Sequence, residues 1–265
     1  LSYAYDHEWI NKTIYQNAYV RTDSYFDNSP LASSGLPSKN ELELLNVWKD
    51  EIPAEVFTET FTPPLTDGSG NDRKNLLKAK EILEKEGWFV ENGKLVKDGK
   101  EFKFEFLIVS PSDEKIALAY QSNLKKLGIT MDVRTVDSSQ YQERLLSYDF
   151  DMIKRYWGVS LSPGNEQQFY WGSEVGQKDG SRNYPGINSP AVDALIEKLI
   201  NASNRQELTT AIHALDRVLL WGHYVVPLYH SNKDRIAYWD FFEYPDEIPL
   251  YGIVIESWWI NKDKQ

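Results

Sequence analysis

Between residues 155 and 173 the chain reads RYWGVSLSPGNEQQFYWGS. Arg155 can clamp a carboxylate with two parallel hydrogen bonds, or pair with one of the acids around it. Trp157 and Trp171 can stack on a ligand or close a core, and both readings stand. Arg182, further along, carries the same two options as Arg155. Just upstream, Asp149 and Asp151 fall on one face of a strand, the kind of carboxylate pairing that glycoside hydrolysis uses. Their other reading is that they flank the solvated start of that strand.

Motifs for other chemistries fail on inspection. His7-Glu8 is followed by Asn11 where a metalloprotease helix needs its second His. The four histidines, at 7, 213, 223 and 230, never stand at ligand spacing within one element, and His213 reads as a satisfied helix residue. DGSGND from Asp67 lacks the Gly of a calcium loop at its sixth position, Asp72, and has Lys78 where the chelating Glu belongs. There is no Gly-x-Ser-x-Gly elbow, no phosphate loop and no dinucleotide fingerprint. With no cysteine, thiolate metal sites and disulfides are excluded. No catalytic residue, metal or cofactor is therefore expected. Asn11-Lys-Thr13 and Asn201-Ala-Ser203 match glycosylation sequons short enough to arise by chance. Trp48, Trp88, Trp221 and Trp239 border helices or strands, where packing is the default.

The elements that must position these residues are legible from residue 72 onward. DRKNLLKAKEILEKEGW reads as a helix with Leu76, Leu77, Lys80, Ile82 and Leu83 on one side, closed by Gly87. ENGKLVKDGK reads as a small hairpin. EFKFEFLIV alternates Phe102, Phe104, Phe106 and Ile108, a strand with one buried face. Ser112 then caps a helix with Ile116, Tyr120, Leu124 and Leu127 on one side, and ITMDVRTV is the next strand. That succession is a βαβ unit with a parallel pair. It repeats through a helix capped by Ser138 and a strand over DFDMIKRYWG. The Arg155 stretch then begins at the C-terminal end of a strand, where ligands of open α/β sheets gather.

Two helices follow: one from Ser189-Pro190 burying Val192, Leu195, Ile196, Leu199 and Ile200, and one opened by a Ser203–Gln206 capping box. YVVPLYHS and RIAYWDFF read as strands. Residues 20–70 lack sustained periodicity and read as long irregular connections. The opening LSYAYDHEWINKTIY reads as the middle of a helix, with Leu1, Tyr5, Trp9 and Ile14 as its stripe, which suggests a piece of a longer protein.

A chain of 265 residues can bury a sizeable core, and 41% hydrophobic with 26% charged residues argues for a globular domain. The net charge of −11 argues against nucleic acid and anionic membrane surfaces as partners. No apolar run approaches the ~18 residues of a membrane span. Aromatics at 14%, together with Asp149 and Asp151, motivate one alternative: a carbohydrate-active enzyme or sugar-binding module.

Several phrases in order then carry a resemblance: LSYAYDHEWINKTIY, NSPLASSGLPS, NLLKAKEILEKEGW, NLKKLGITMDVRTVDSSQYQERL, YDFDM, SPGNEQQFYWGS, GSRNYPGINSPAVDALI and ALDRVLLWGHYVVPLYH. Together they resemble the C-terminal half of bacterial extracellular solute-binding proteins of family 5, the peptide/nickel/opine receptors, in their Yej-type oligopeptide and microcin C-linked branch. The resemblance implies an α/β, periplasmic-binding-protein-like (class II) C-terminal lobe over residues 1–224, with 225–265 returning toward a first lobe. It implies a periplasmic or membrane-tethered monomer that captures a peptide or peptide-like solute between two lobes and passes it to ABC permease subunits in the inner membrane, without catalysis. A sugar-phosphate opine or a peptide–nucleotide antibiotic is the narrower alternative ligand. In peptide-binding relatives the strand ending at a Trp-containing turn pairs its backbone with the peptide. By position that strand is Arg155, Tyr156, Trp157 and Gly158. Relatives often carry, three residues after the Trp, an Asp that holds the peptide α-amino group; Ser160 stands there, and Glu166 is the candidate substitute. Arg182 and Asn183 complete the expected ligand contacts.

Overall fold

Asp6 starts the first helix. In a computed structural model that describes residues 1–176, 178–250 and 252–264, its carboxylate accepts the Trp9 N–H at 3.0 Å and opens α1 (His7–Thr13). Ser2–Ala4 forms only a single 3-10 turn, so the chain does not start inside a helix as its apolar spacing suggested. β1 (Val20–Arg21) follows, and the region expected to be irregular then holds α2 (Lys39–Leu45) and α3 (Glu55–Thr58). Ser38 and Glu41 form a reciprocal capping box on α2. α4 (Arg73–Lys85) is capped by Asp72 and buries Asn75 and Ala79, whereas Leu77 and Ile82 face solvent. The Asn75 amide donates to the Leu65 carbonyl at 2.9 Å, while Leu76 and Leu83 pack partly buried against the same core as Ala79.

β2 (Phe89–Glu91), β3 (Lys94–Lys97) and β4 (Lys100–Glu101) form an antiparallel meander, two hairpins where one was expected. Asn92-Gly93 and Asp98-Gly99 all have positive φ, which two-residue turns require to match strand twist.

The sheet that positions the site is β5 (Lys103–Ile108), β6 (Thr130–Thr135) and β7 (Met152–Ile153), parallel and ordered β6-β5-β7. α5 (Pro111–Lys126) crosses from β5 to β6, capped by Ser110 rather than Ser112, with Pro111 at its first position. Its Ile116, Tyr120 and Leu124 are buried with Phe106, Ile108 and Met131. β5 is buried on both faces at its C-terminal end, because Leu107 packs on the opposite side with Tyr141 and Leu145 of α6 (Ser138–Leu146). Asp137, one residue before the expected Ser138, caps α6.

A second core lies under α7 (Glu166–Trp171), α8 (Pro190–Ile200) and α9 (Arg205–Trp221). Ser189 caps α8, which buries Val192, Leu195, Ile196 and Leu199. Asn204 and Glu207, not Ser203 and Gln206, close the start of α9. Two charged residues in the middle of α9 hold the loop before α2 in place. Asp216, completely buried, accepts from Ser24 Oγ, Tyr25 N, Ser33 N and Ser33 Oγ at 2.7–2.9 Å. Arg217 meets Glu41 at 2.6 Å and donates to the carbonyls of Ser34, Gly35 and Leu36. The family-like NSPLASSGLPS is therefore an ordered strap over α9.

β8 (Tyr229–His230) pairs antiparallel with β1, and β9 (Phe242–Glu243) with β10 (Trp259–Ile260). The strands expected over YVVPLYHS and RIAYWDFF shrink to these short pairs, and Trp239 is 73% exposed rather than packed.

Candidate functional site

β7 stops at Ile153, well short of the strand expected over DFDMIKRYWG, and the chain continues without regular secondary structure from the C-terminal end of the sheet. Among the described residues, the main chain from Tyr156 to Pro163 makes no backbone-to-backbone hydrogen bond. The N–H groups of Tyr156, Trp157, Gly158, Val159 and Ser160 have no side-chain acceptor either. A Cβ built on Gly158 meets nothing within 4 Å, so the backbone there is open to approach.

Trp157 is half-buried behind this edge. Its ring lies 4.8 Å from that of Trp171, tilted by 47°, and its Nε1 donates to the Arg182 carbonyl at 3.3 Å. Trp171 is 1% exposed and donates to Gln167 Oε1, so it belongs to the core and only Trp157 reaches the surface. Tyr156 is 87% exposed on the opposite side of the chain. Arg155 lies over the Tyr184 ring at 5.0 Å and donates to the Tyr184 hydroxyl at 3.2 Å. Ser160 Oγ accepts the Ser162 N–H at 3.1 Å, forming a small local turn.

The remaining expected residues divide. Glu166 accepts from the Gly164 N–H at 2.9 Å and from the Gln167 amide at 3.3 Å, so its carboxylate already closes the turn into α7. The Arg182 side chain is exposed, and its N–H donates to the Phe169 carbonyl. Asn183 is fully buried: its amide donates to the carbonyls of Gly172 and Ile187 and accepts the Ile187 N–H. With its hydrogen-bonding capacity spent inside the fold, it braces the wall behind Trp157 instead of facing a ligand.

Residues that spacing did not single out join the same edge. Lys154 bridges Asp113 at 2.5 Å and donates to the Tyr229 hydroxyl at 3.2 Å. Tyr15 and Tyr229 share a hydrogen bond of 2.6 Å, with Tyr19 packed against both rings. Burial raises the phenol pKa of Tyr15 and of Tyr229, so both stay protonated at neutral pH. Lys154 could have been noticed as the residue before Arg155. Tyr15, Tyr184 and Tyr229 carry no local signal, because only the fold brings them to the sheet end.

Asp149 and Asp151 are each engaged in a separate contact within the fold. Asp149 is bonded to Arg144 at 2.8 Å, and Asp151 accepts the Glu105 N–H at 2.8 Å, tying β5 to the segment before β7. Among the described residues no group of three His, Asp or Glu side chains is arranged to hold a metal, and no helix is long and apolar enough to cross a membrane.

The family model described as bacterial extracellular solute-binding proteins, family 5 Middle, matches residues 1–179. The chain belongs to that family. The uncharacterized protein y4wM of Sinorhizobium fredii is 49% identical over 98% of the chain, and the probable peptide-binding protein YejA of Agrobacterium fabrum is 42% identical over 99%. The chain spans 40% and 43% of the lengths of these two relatives. Among solved structures, the oligopeptide-binding protein AppA of Bacillus subtilis, in complex with a nonapeptide, superposes with a TM-score of 0.66 at 22% identity. That superposition covers 98% of this chain and 46% of AppA, and it bears out the α/β, periplasmic-binding-protein-like fold. No comparison supports the carbohydrate-active reading.

Proposed function

We propose that this chain forms one wall of the ligand cleft in the substrate-binding component of an ABC importer, taking up oligopeptides or peptide-like solutes without catalysing a reaction. The observation that carries the reading is the run from Tyr156 to Pro163, which makes no backbone-to-backbone hydrogen bond among the described residues and lies beside a half-buried Trp157. An edge of this kind offers alternating donors and acceptors to a ligand backbone, and the aromatic wall behind it tolerates varied side chains. Membership of a solute-binding family and the relatives named for peptide binding support the same assignment.

On this reading residues 1–224 are the second lobe and 225–265 return to a first lobe; Tyr251 and Gln265 of that segment lie outside the described residues. The intact receptor is a periplasmic or membrane-tethered monomer that hands its ligand to permease subunits in the inner membrane. Tyr156, Trp157, Gly158 and Ser160 offer main-chain contacts, with Arg155 and Arg182 at the margin. Glu166 stays with the loop turn. Ser160 leaves this wall without a carboxylate for a ligand ammonium, so that group is met by another part of the ligand site.

Titration of the intact receptor with a short-peptide library is expected to give saturable heat and no change in the peptides. Trp157→Ala is expected to weaken binding by about 2 kcal/mol, roughly thirtyfold in Kd. Unchanged affinity in that variant removes the site assignment, and absence of any peptide binding removes the proposed function.

A further inference from the structure

Arg155 and Arg182 flank Trp157, and neither has a carboxylate within ion-pair distance among the described residues. Other cations nearby are already neutralised: Lys154 by Asp113 at 2.5 Å, and Arg144 by Glu105 and Asp149. The acid closest along the loop, Glu166, is held by Gly164 and Gln167. The margin of the open edge therefore presents the Arg155 guanidinium without a carboxylate partner, and Arg182, exposed, adjoins it through the bond from Trp157 to its carbonyl.

Arg155 is also braced by an aromatic side chain. Its guanidinium carbon lies 5.0 Å from the Tyr184 ring centroid and its Nη2 donates to the Tyr184 hydroxyl at 3.2 Å, while Nε and Nη1 make no hydrogen bond among the described residues. Tyr184 is itself fixed, packed against Tyr148, Phe150 and Trp157. Tyr148 in turn shares a hydrogen bond with Ser181. A guanidinium resting on an aromatic ring with Nε and Nη1 left free can give an oxyanion two parallel hydrogen bonds. Stacking also reduces the side-chain freedom that binding would otherwise remove.

We propose that Arg155, supported by Tyr184 and assisted by the charge of Arg182, is a specificity determinant that selects ligands carrying a carboxylate next to the segment that pairs with residues 156–160. This rests on the proposed peptide-receptor reading and adds a ligand class to it: acidic peptides or peptide-like acids in preference to neutral ones. The uptake edge would then counter the overall negative charge of the protein, which by itself repels such ligands.

The test compares two matched pools of short peptides on the intact receptor. One pool contains Glu and a free C-terminal carboxylate, and the other contains Gln and a C-terminal amide. Wild type is expected to prefer the acidic pool by about tenfold, as for a charge-assisted hydrogen bond at a partly exposed site. The preference should shrink as ionic strength rises. Arg155→Met is expected to abolish the preference while retaining binding of the amidated pool, Arg155→Lys to keep part of it, and Tyr184→Phe to reduce it without removing a charge. Equal wild-type affinity for both pools, or a preference that survives Arg155→Met, overturns the assignment and leaves the receptor reading intact. Failure of both pools to bind wild type overturns the receptor reading together with it.

Discussion

On the buried face of α9 both charged side chains, Asp216 and Arg217, have all their polar atoms bonded inside the chain, whereas after β7 the main chain from Tyr156 to Pro163 has no backbone partner among the described residues. The difference follows from access to water. A buried ion left without partners costs several kcal/mol, so Asp216 and Arg217 persist because the strap from Ser24 to Leu36, and Glu41 of α2 for Arg217, satisfy them. An exposed N–H or C=O is satisfied by water and can exchange that water for a ligand at little cost. Closed polar networks here mark what holds the fold, and open ones mark where it can bind.

The largest expected break of that contrast is Asp216→Ala. It leaves the Ser24, Tyr25 and Ser33 donors without an acceptor in the core, and is expected to cost about 3–5 kcal/mol in denaturant unfolding. Next comes Asn183→Ala, which frees the Gly172 and Ile187 carbonyls and the Ile187 N–H behind Trp157. It is expected to lower stability by about 2 kcal/mol and to loosen the Trp157 wall, read by Trp fluorescence.

A pH comparison of wild type with Glu41→Gln sharpens the closed side. Burial pushes the Glu41 carboxyl up, but the His213 imidazole 3.8 Å away and the hydrogen bonds from Arg217 and Ser38 outweigh it and bring its pKa to about 2. Its contribution is then present above the unfolded value of 4.5 and is lost as pH falls toward 2. The Glu41 bond raises the His213 pKa above 6.5, so that contribution is full below 6.5 and fades as pH rises through the raised value. The stability difference between the two proteins should therefore be greatest between pH 4.5 and 6.5. A difference that does not change with pH would remove Glu41 from this account. The smallest effect belongs to the open side: Gly158→Ala has space for its methyl and is expected to change stability by less than about 0.5 kcal/mol. If peptide affinity is also unchanged, a ligand backbone does not pass over Gly158.

Legibility in the sequence followed the range of the interactions. The β5–α5–β6 unit, α8 with its Ser189-Pro190 start, and the register of Ile116, Tyr120 and Leu124 were all readable, because caps and apolar periods act within a few residues. Caps were displaced by one or two positions at α5, α6 and α9, where neighbouring Ser, Asp and Asn residues competed for the same N–H groups. α2 was missed although Ser38 and Glu41 stand at capping-box spacing, because the Ser- and Pro-rich approach masked a helix of only seven residues.

By itself the sequence determined the α/β succession, the absence of thiolate chemistry and of Gly-rich nucleotide loops, and the position of Arg155 to Gly158 near a strand end. Only the tertiary structure decided which polar groups are used up. Asn183 looked available and is spent, Glu166 looked like an anchor and closes a turn, and Trp171 lies in the core while Trp157 lines the edge. Tyr184 and Tyr229 came to the site without any sequence signal. The physical reason is that hydrogen bonding and burial are settled in three dimensions, both by local folds, as where Glu166 closes on Gly164 and Asn183 on Ile187, and by distant partners, as between Arg155 and Tyr184 (29 apart) or Tyr15 and Tyr229 (214 apart). Local spacing does not encode those meetings.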